Sequence, residues 1–376
     1  MDDLLNDPPR VTVVLGTRPE AIKLTPVILT LRSHALKPHV TVVSSGQHRE
    51  MLHETLEVFG LTPDVDLALM TPGQEPIAFA ARLLSVLPEV IHESRPTRML
   101  VQGDTTTAMV AATVGLHLRI PVGHVEAGLR TGDMGAPFPE EFNRRVIALA
   151  AALHFAPTPR AATTLLREGI PAAQIRTTGN TVVDAAHLIG GRGSSTREQR
   201  VVCTIHRRES FGEPMVRCFR AIASLAAEFV EWDFIIPLHP NPQVQCLRDH
   251  LGYGKNVRIV APLPYREMIH LLRSSALVLT DSGGIQEEAP AFGTPVLVLR
   301  DKTERPEGIE AGVARLVGTQ QARIVSAVRE LIGNQVAYSK MARAQNPYGD
   351  GRASERIVQC LMGSEDSAPV PEWLGA

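Results

Sequence analysis

The chain reads as an α/β protein made of two doubly wound, parallel-sheet domains in tandem. Three observations predict this. Short apolar strands alternate with segments of helical period from one end to the other. The alternation restarts after a glycine and serine cluster at mid-chain. Glycines and charged residues collect just beyond the strand ends, where sheets of this kind bind ligands.

In chain order, apolar runs predict strands at Val11 to Leu15, His39 to Ser44, Arg98 to Gln102, Val122 to Glu126 and His154 to Pro157, with helices between them. These make a first domain of residues 1–189. Gly190-Gly191-Arg192-Gly193-Ser194-Ser195 and the charged run from Thr196 to Arg200 read as an interdomain linker over residues 190–200. A second series follows within residues 201–349, with strands at Val201 to Ile205, Phe234 to Pro237, Val257 to Val260, Leu277 to Thr280, Val296 to Leu299 and Ala314 to Val317. Two such domains are expected to turn the carboxyl ends of their sheets toward a shared central cleft. The proline-bearing tail from Gly363 to Ala376 reads as partly disordered.

Composition narrows the function. A chain of 376 residues has room for two cores. A formal net charge of −2 and 4% aromatic residues, with no basic stripe, argue against nucleic acid as a partner. Met1 to Arg10 is polar and acidic, and no apolar run approaches the ~20 residues that a membrane span needs. The expectation is a cytoplasmic protein acting on a small molecule, without a membrane partner. Cys203, Cys218, Cys246 and Cys360 lack C-x-x-C spacing and read as buried thiols, and no metal-ligand set is visible.

The residues after the strands carry the chemistry. Asp281-Ser282-Gly283-Gly284 joins an apolar strand to a helix through two glycines. Bare N–H groups at such a helix start attract a phosphate, and Glu288 about one turn on suits the hydroxyls of a sugar. Gly16-Thr17-Arg18-Pro19 follows the first strand, with Pro19 fitted to a first helical turn. Arg18 and Lys23 are then cations for a phosphate or carboxylate, although Arg18 also reads as a surface ion pair with Glu20. The same segment is no G-x-G-x-x-G, which argues against a dinucleotide. His206-Arg207-Arg208 takes the mirror position in the second domain and suits a diphosphate, and His239 follows the next strand.

Asp104, Glu126 and Glu140 lie at or just beyond strand ends of the first domain. Singly, Asp104 reads as a cap for a helix starting at Thr105, and Glu140 as an acid that favours a helix start. Together, three carboxylates at neighbouring ends read as a proton donor and acceptor set, because clustered acids raise one another's pKa.

A series of segments then resembles one family, the non-hydrolysing UDP-N-acetylglucosamine 2-epimerases. They are GTRPEAIKLTPVI from Gly16, GQHREML from Gly46, GDTTTAM from Gly103, PVGHVEAGLRTGD from Pro121, PFPEEFNRR from Pro137, GNTVVDA from Gly179, HRRES from His206, HPNP from His239 and TDSGGIQEEAPAFGTPVLVLRDKTERPE from Thr280. The resemblance implies a GT-B arrangement of two Rossmann-like domains, with a C-terminal helix around residues 350–365 completing the first. It implies reversible epimerisation at carbon 2 of UDP-N-acetylglucosamine to UDP-N-acetylmannosamine for cell-surface polysaccharide. The route it implies is elimination of UDP to 2-acetamidoglucal and re-addition, with no cofactor.

Matching positions carry over as Asp104, Glu126, Glu140 and His206 for catalysis and Arg18, Lys23, Ser282, Gly283, Gly284 and Glu288 for the UDP-sugar. Gln47, Glu141, Arg207 and His239 match a second UDP-N-acetylglucosamine site that activates family members, and a homodimer is implied as well. A 2-epimerase of a related UDP-acetamido sugar, or a hydrolysing epimerase releasing N-acetylmannosamine and UDP, shares most of these motifs. Met134-Gly135-Ala136 departs from the family's varied stretch before the Pro-aromatic-Pro-Glu segment, and Met268 stands where an aromatic is frequent.

Overall fold

The structure is a computed structural model that describes residues 8–363 except 72, 194–195, 208–209, 239–240, 246–247 and 252–253. Ser194, Ser195, Arg208, His239, Cys246 and the tail beyond Gly363 therefore lie outside the described residues. The chain divides into two compact units, Met1–Ala185 with Gly349–Ala376, and Ala186–Tyr348.

The first unit runs β1 (Arg10–Leu15), α1 (Arg18–Arg32), β2 (His39–Ser44), α2 (Arg49–Val58), β3 (Val65–Asp66), α3 (Pro76–Ser94), β4 (Arg98–Gln102), α4 (Thr106–His117), β5 (Val122–Val125), α5 (Glu140–Ala150), β6 (Leu153–Ala156), α6 (Pro159–Arg167), β7 (Ile175–Thr177) and α7 (Thr181–Gly190), whose last turns enter the second unit. Its seven strands lie in the order β3-β2-β1-β4-β5-β6-β7, and every pair is parallel. Chain order reverses between β1 and β4, so the segments leaving these strands diverge to opposite faces and open a crevice at the carboxyl end.

Alternation along β1 explains the two layers. Val11, Val13 and Leu15 pack with α1 and Ile357, Val358 and Leu361 on one face. Val14 faces the other way, with Phe79, Leu83, Ala108 and Ile147 from α3, α4 and α5. Each large side chain buried this way contributes about 1.5–3 kcal/mol. A Cβ on Gly123 would lie 2.8 Å from Leu100 and 3.0 Å from Phe155, so glycine is what lets the face close there.

The second unit runs β8 (Glu198–Thr204), α8 (Glu213–Glu228), β9 (Asp233–Pro237), α9 (Pro242–Gln245), β10 (Val257–Val260), α10 (Tyr265–Ser274), β11 (Ser275–Thr280), α11 (Gly283–Glu288), β12 (Val296–Val298), α12 (Pro306–Glu310), β13 (Ala314–Leu316), α13 (Gln321–Gly333) and α14 (Gln335–Ala342). Its parallel sheet has the order β10-β9-β8-β11-β12-β13, with the reversal between β8 and β11. The two parallel sheets place the protein among α/β proteins of the GT-B class.

Helix α15 (Ala353–Met362) belongs to the first unit. Arg352 offers its first turn no side-chain cap. Asp184 of α7 supplies one, accepting from the Ala353 N–H at 3.2 Å, the Ser354 N–H at 2.8 Å and the Ser354 hydroxyl. A cap normally adds about 0.5–2 kcal/mol.

Regular structure reaches further than the sequence suggests around mid-chain. Helix α7 extends to Gly190 and β8 already begins at Glu198, because Glu198 finds a partner in Ser275 and Arg200 in Asp233. Strands β3 and β7 were not expected at all. Among the described residues, no helix is long and apolar enough to cross a membrane, and Cys203, Cys218 and Cys360 are buried.

Candidate active site

The carboxyl ends of both sheets carry charged residues. In the first, the turn after β1 is compressed against its neighbours. A Cβ on Gly16 would lie 2.2 Å from the Ser45 hydroxyl and 2.4 Å from that of Thr107, so only glycine lets these turns meet. Glu20 then turns inward rather than toward Arg18. Its Oε2 accepts from the N–H groups of Gly16 at 3.0 Å and Thr17 at 2.8 Å and from the Thr17 hydroxyl at 2.8 Å, while Oε1 accepts from the Thr105 hydroxyl at 2.7 Å. Burial pushes this carboxyl up to about 7, although all four donors oppose the shift. The surface ion pair Arg18–Glu20 thus does not form. Arg18 is half-buried and makes no hydrogen bond or ion pair with another described residue.

Asp104 follows β4 but caps nothing. Thr105 is the N-cap of α4, accepting from the Ala108 N–H at 3.0 Å. The Asp104 carboxylate instead pairs with Arg144 of α5, and its carbonyl accepts from Asn143 Nδ2 at 2.9 Å. Glu140, Asn143 and Arg144 share one face of α5 at helical spacing, which brings Glu140 to the same end of the sheet. One Glu140 oxygen, Oε2, is buried without a hydrogen-bond partner among the described residues.

Glu126 sits beside them with φ of 66°, left-handed and costly by about 1–3 kcal/mol for a residue with a Cβ. Three partners hold it in that conformation. Lys23 and Gln102 contact its two oxygens, and Asn180 Nδ2 donates to Oε1 at 3.1 Å. The Gly103 N–H donates to the Val125 carbonyl at 3.0 Å, which ties the Asp104 turn to the Glu126 turn. The structure therefore gathers Asp104, Glu126, Glu140 and Lys23.

Gln47 and Glu141 are also in this unit. Gln47 accepts from the Thr107 hydroxyl at 2.8 Å. Glu141 is buried, accepting from the Thr131 and Gly132 N–H groups at 3.0 and 3.3 Å and pairing with Arg144 and Arg145. Burial raises this carboxyl, but the Thr131 N–H, the Arg145 hydrogen bond and the Arg144 charge outweigh it and hold the pKa below the usual range. Glu141 acts as a strut for the loop before α5.

In the second unit, Asp281 closes β11 and is fully buried. It accepts from the His206 N–H at 3.0 Å and the Arg207 N–H at 2.8 Å, and His206 Nδ1 lies 3.3 Å away. That contact holds the His206 ring against Asp281, with the side chain 37% exposed. Ser282 is the N-cap residue of α11, with its hydroxyl making no cap bond. A Cβ on Gly283 would lie 3.2 Å from Arg305 Cζ and 3.3 Å from Arg207 Nη2, so two guanidinium groups converge on this turn, whereas Gly284 is open. Arg305 is held by Glu287 at 2.8 Å and Glu304 at 3.0 Å. Glu288 is buried within α11.

Several residues of these arrangements escape a reading of the sequence alone. Arg144 and Asn143 had a signal, their helical spacing from Glu140. Asp281 stood inside a recognised run but read as part of a turn. Asn180 and Arg305 stood inside segments that resemble the family, without a role of their own, and Gln102 had no signal beyond polarity.

With this geometry in hand, comparisons are informative. The UDP-N-acetylglucosamine 2-epimerase family profile matches residues 31–362. The UDP-N-acetylglucosamine 2-epimerase of Yersinia pestis is 44% identical over 374 residues, covering 95% of this chain and 99% of the relative. A Listeria monocytogenes crystal structure, described as a putative UDP-N-acetylglucosamine 2-epimerase, matches with a TM-score of 0.89 and 39% identity over 96% of this chain and 98% of its own. The Neisseria meningitidis UDP-GlcNAc 2-epimerase, solved bound to UDP-GlcNAc, matches with a TM-score of 0.84 and 40% identity over 94% of this chain and 100% of its own. The chain belongs to the UDP-N-acetylglucosamine 2-epimerase family.

Proposed function

We propose that the protein interconverts UDP-N-acetylglucosamine and UDP-N-acetylmannosamine without hydrolysis. The observation that carries this reading is the gathering of Asp104, Glu126 and Glu140 at one end of the first sheet, in a chain of this family. Epimerisation at carbon 2 needs a proton taken from one face and another given to the opposite face. Carboxylates anchored on neighbouring strands are suited to both.

A proton on carbon 2 of an acetamido sugar is weakly acidic, so its loss must accompany or follow departure of the diphosphate. The C2–H and C1–O bonds break, a C1=C2 double bond forms, the proton goes to a carboxylate and the electron pair leaves with UDP. Re-addition of UDP with protonation from the other side gives the epimer. In the second unit, the guanidinium groups of Arg207 and Arg305, the imidazole of His206 and the Ser282-Gly283-Gly284 turn are suited to the charge of a diphosphate. In the first unit, Arg18 is a cation suited to a phosphate or carboxylate, while Lys23 is paired with Glu126.

Incubation with UDP-N-acetylglucosamine in deuterium oxide, followed by NMR at carbon 2, tests this. The expected result is deuterium at carbon 2 of both epimers with UDP still attached. Free N-acetylmannosamine with UDP would establish the hydrolysing route instead, and absence of exchange would refute both.

A further inference from the structure

We propose that His124 is a positioning residue for Asp104, acting through the carbonyl of Gly103. The inference rests on the reading of Asp104 as a proton-transfer group.

His124 stands in β5 between Val101 of β4 and His154 of β6 and is buried. Gly123 beside it faces Leu100, Phe155 and Leu361, so alternation turns the imidazole to the opposite face, under α3, α4 and α5. There Nε2 lies 2.7 Å from the Gly103 carbonyl oxygen. A carbonyl only accepts, so Nε2 carries the proton and Nδ1 has none. Nδ1 is itself buried without a hydrogen-bond partner among the described residues.

Gly103 has φ of 71°, where the chain has already left the strand ladder. Among the described residues no backbone N–H donates to its carbonyl in the turn, and His124 supplies that donor. The next carbonyl, that of Asp104, receives Asn143 Nδ2 at 2.9 Å. Both peptide units flanking the Asp104 side chain are thus pinned by side chains, and Arg144 holds the carboxylate. Among the described residues the imidazole makes no second hydrogen bond, so its one bond bears on the orientation of Asp104. Burial first, then His154 and the charges of Arg130 and Arg144, push the ring down to about 3. The donor therefore persists through any neutral or mildly acidic assay.

Three variants separate positioning from packing. His124→Phe fills the ring space without a donor, His124→Gln carries an amide N–H to nearly the same point, and His124→Asn is too short to reach. Loss of the donor is expected to lower kcat roughly 10- to 100-fold, with KM and calorimetric UDP affinity within about twofold of wild type. The Gln variant should recover most of the rate.

In an Asp104→Asn background, His124→Phe should add less than about twofold, because the group it positions is already disabled. Wild-type kcat in the Phe variant, equal losses in Gln and Phe, or multiplying losses in the double variant would overturn the proposal. Should the Phe variant fail to fold, the Gln and Asn pair decides, and equal rates overturn it. Wild-type turnover in Asp104→Asn itself would instead remove the underlying reading of Asp104.

Discussion

Where the first unit sets Arg144 on Asp104, the second sets Asp281 on His206 and Glu287 on Arg305. Side-chain exposure differs between the two members of each pair. Asp104 is 28% exposed against 11% for Arg144, whereas His206 is 37% against 0% for Asp281, and Arg305 is 18% against 3% for Glu287. In the first unit the buried cation steadies an acid, and in the second the buried acid steadies a basic side chain. Lys23 and Glu126 are the exception, at 11% and 6%, buried on both sides and further held by Gln102 and Asn180. A long side chain in water samples many rotamers, and an interior counter-charge removes that freedom before a ligand arrives. On the proposed function, the same device would prepare Asp104 for protons and Arg305 for phosphate.

The largest expected effect tests the acid side. Asp104→Asn should lower turnover by at least roughly 100-fold, the usual loss for a general acid or base, while UDP binds as before. Steady-state kinetics with calorimetry checks both halves, and a parallel loss of UDP affinity would break the division between units.

Next, Asp281→Ala should weaken UDP by roughly 10- to 100-fold. It frees the His206 and Arg207 backbone, and a hydrogen bond to a charged group is worth about 1.5–3 kcal/mol. Unchanged UDP affinity by calorimetry would show that this acid does not order the cations.

The smallest effect concerns Glu20, an acid steadied by neutral donors alone. Its folded pKa of about 7 lies above the ordinary 4.5, so the protonated form is the one favoured by folding. Its contribution is whole below 4.5 and is lost as pH rises through about 7, with a slope of at most about 1.4 kcal/mol per pH unit. Urea unfolding of wild type and Glu20→Gln across that window should show the wild type losing stability relative to the variant as pH rises. A constant difference would mean that the four donors cancel the cost of burial. His124 and His154 act in the opposite sense. Their values of about 3 and about 4 lie below 6.5, so their contribution is lost as pH falls through that range.

Much of the fold was legible because burial on both faces writes long apolar runs into parallel strands. The cores of β1, β4, β8 and β11 stood out for that reason. Strands β3 and β7 did not, since Val65-Asp66 and Ile175-Arg176-Thr177 are short edges with polar residues. The candidate site was legible where chemistry follows a strand directly, as at Asp104, Glu126 and Ser282. It was misleading where a local rule competed with a distant partner. Glu20 is three residues from Thr17 and caps its own helix instead of meeting Arg18. Asp104 leaves the cap to Thr105 and takes Arg144.

By itself the sequence determined two rounds of strand and helix, the glycine turns after β1 and β11, and the family, because periodicity and φ freedom are local properties. Tertiary structure alone decided which cation faces which acid, that Asp184 caps α15 from 169 residues away, and that His124 reaches the peptide before Asp104. Those pairings depend on sheet order and on the reversal between β1 and β4, and a linear chain does not record which of its distant polar groups will share one desolvated end of a sheet.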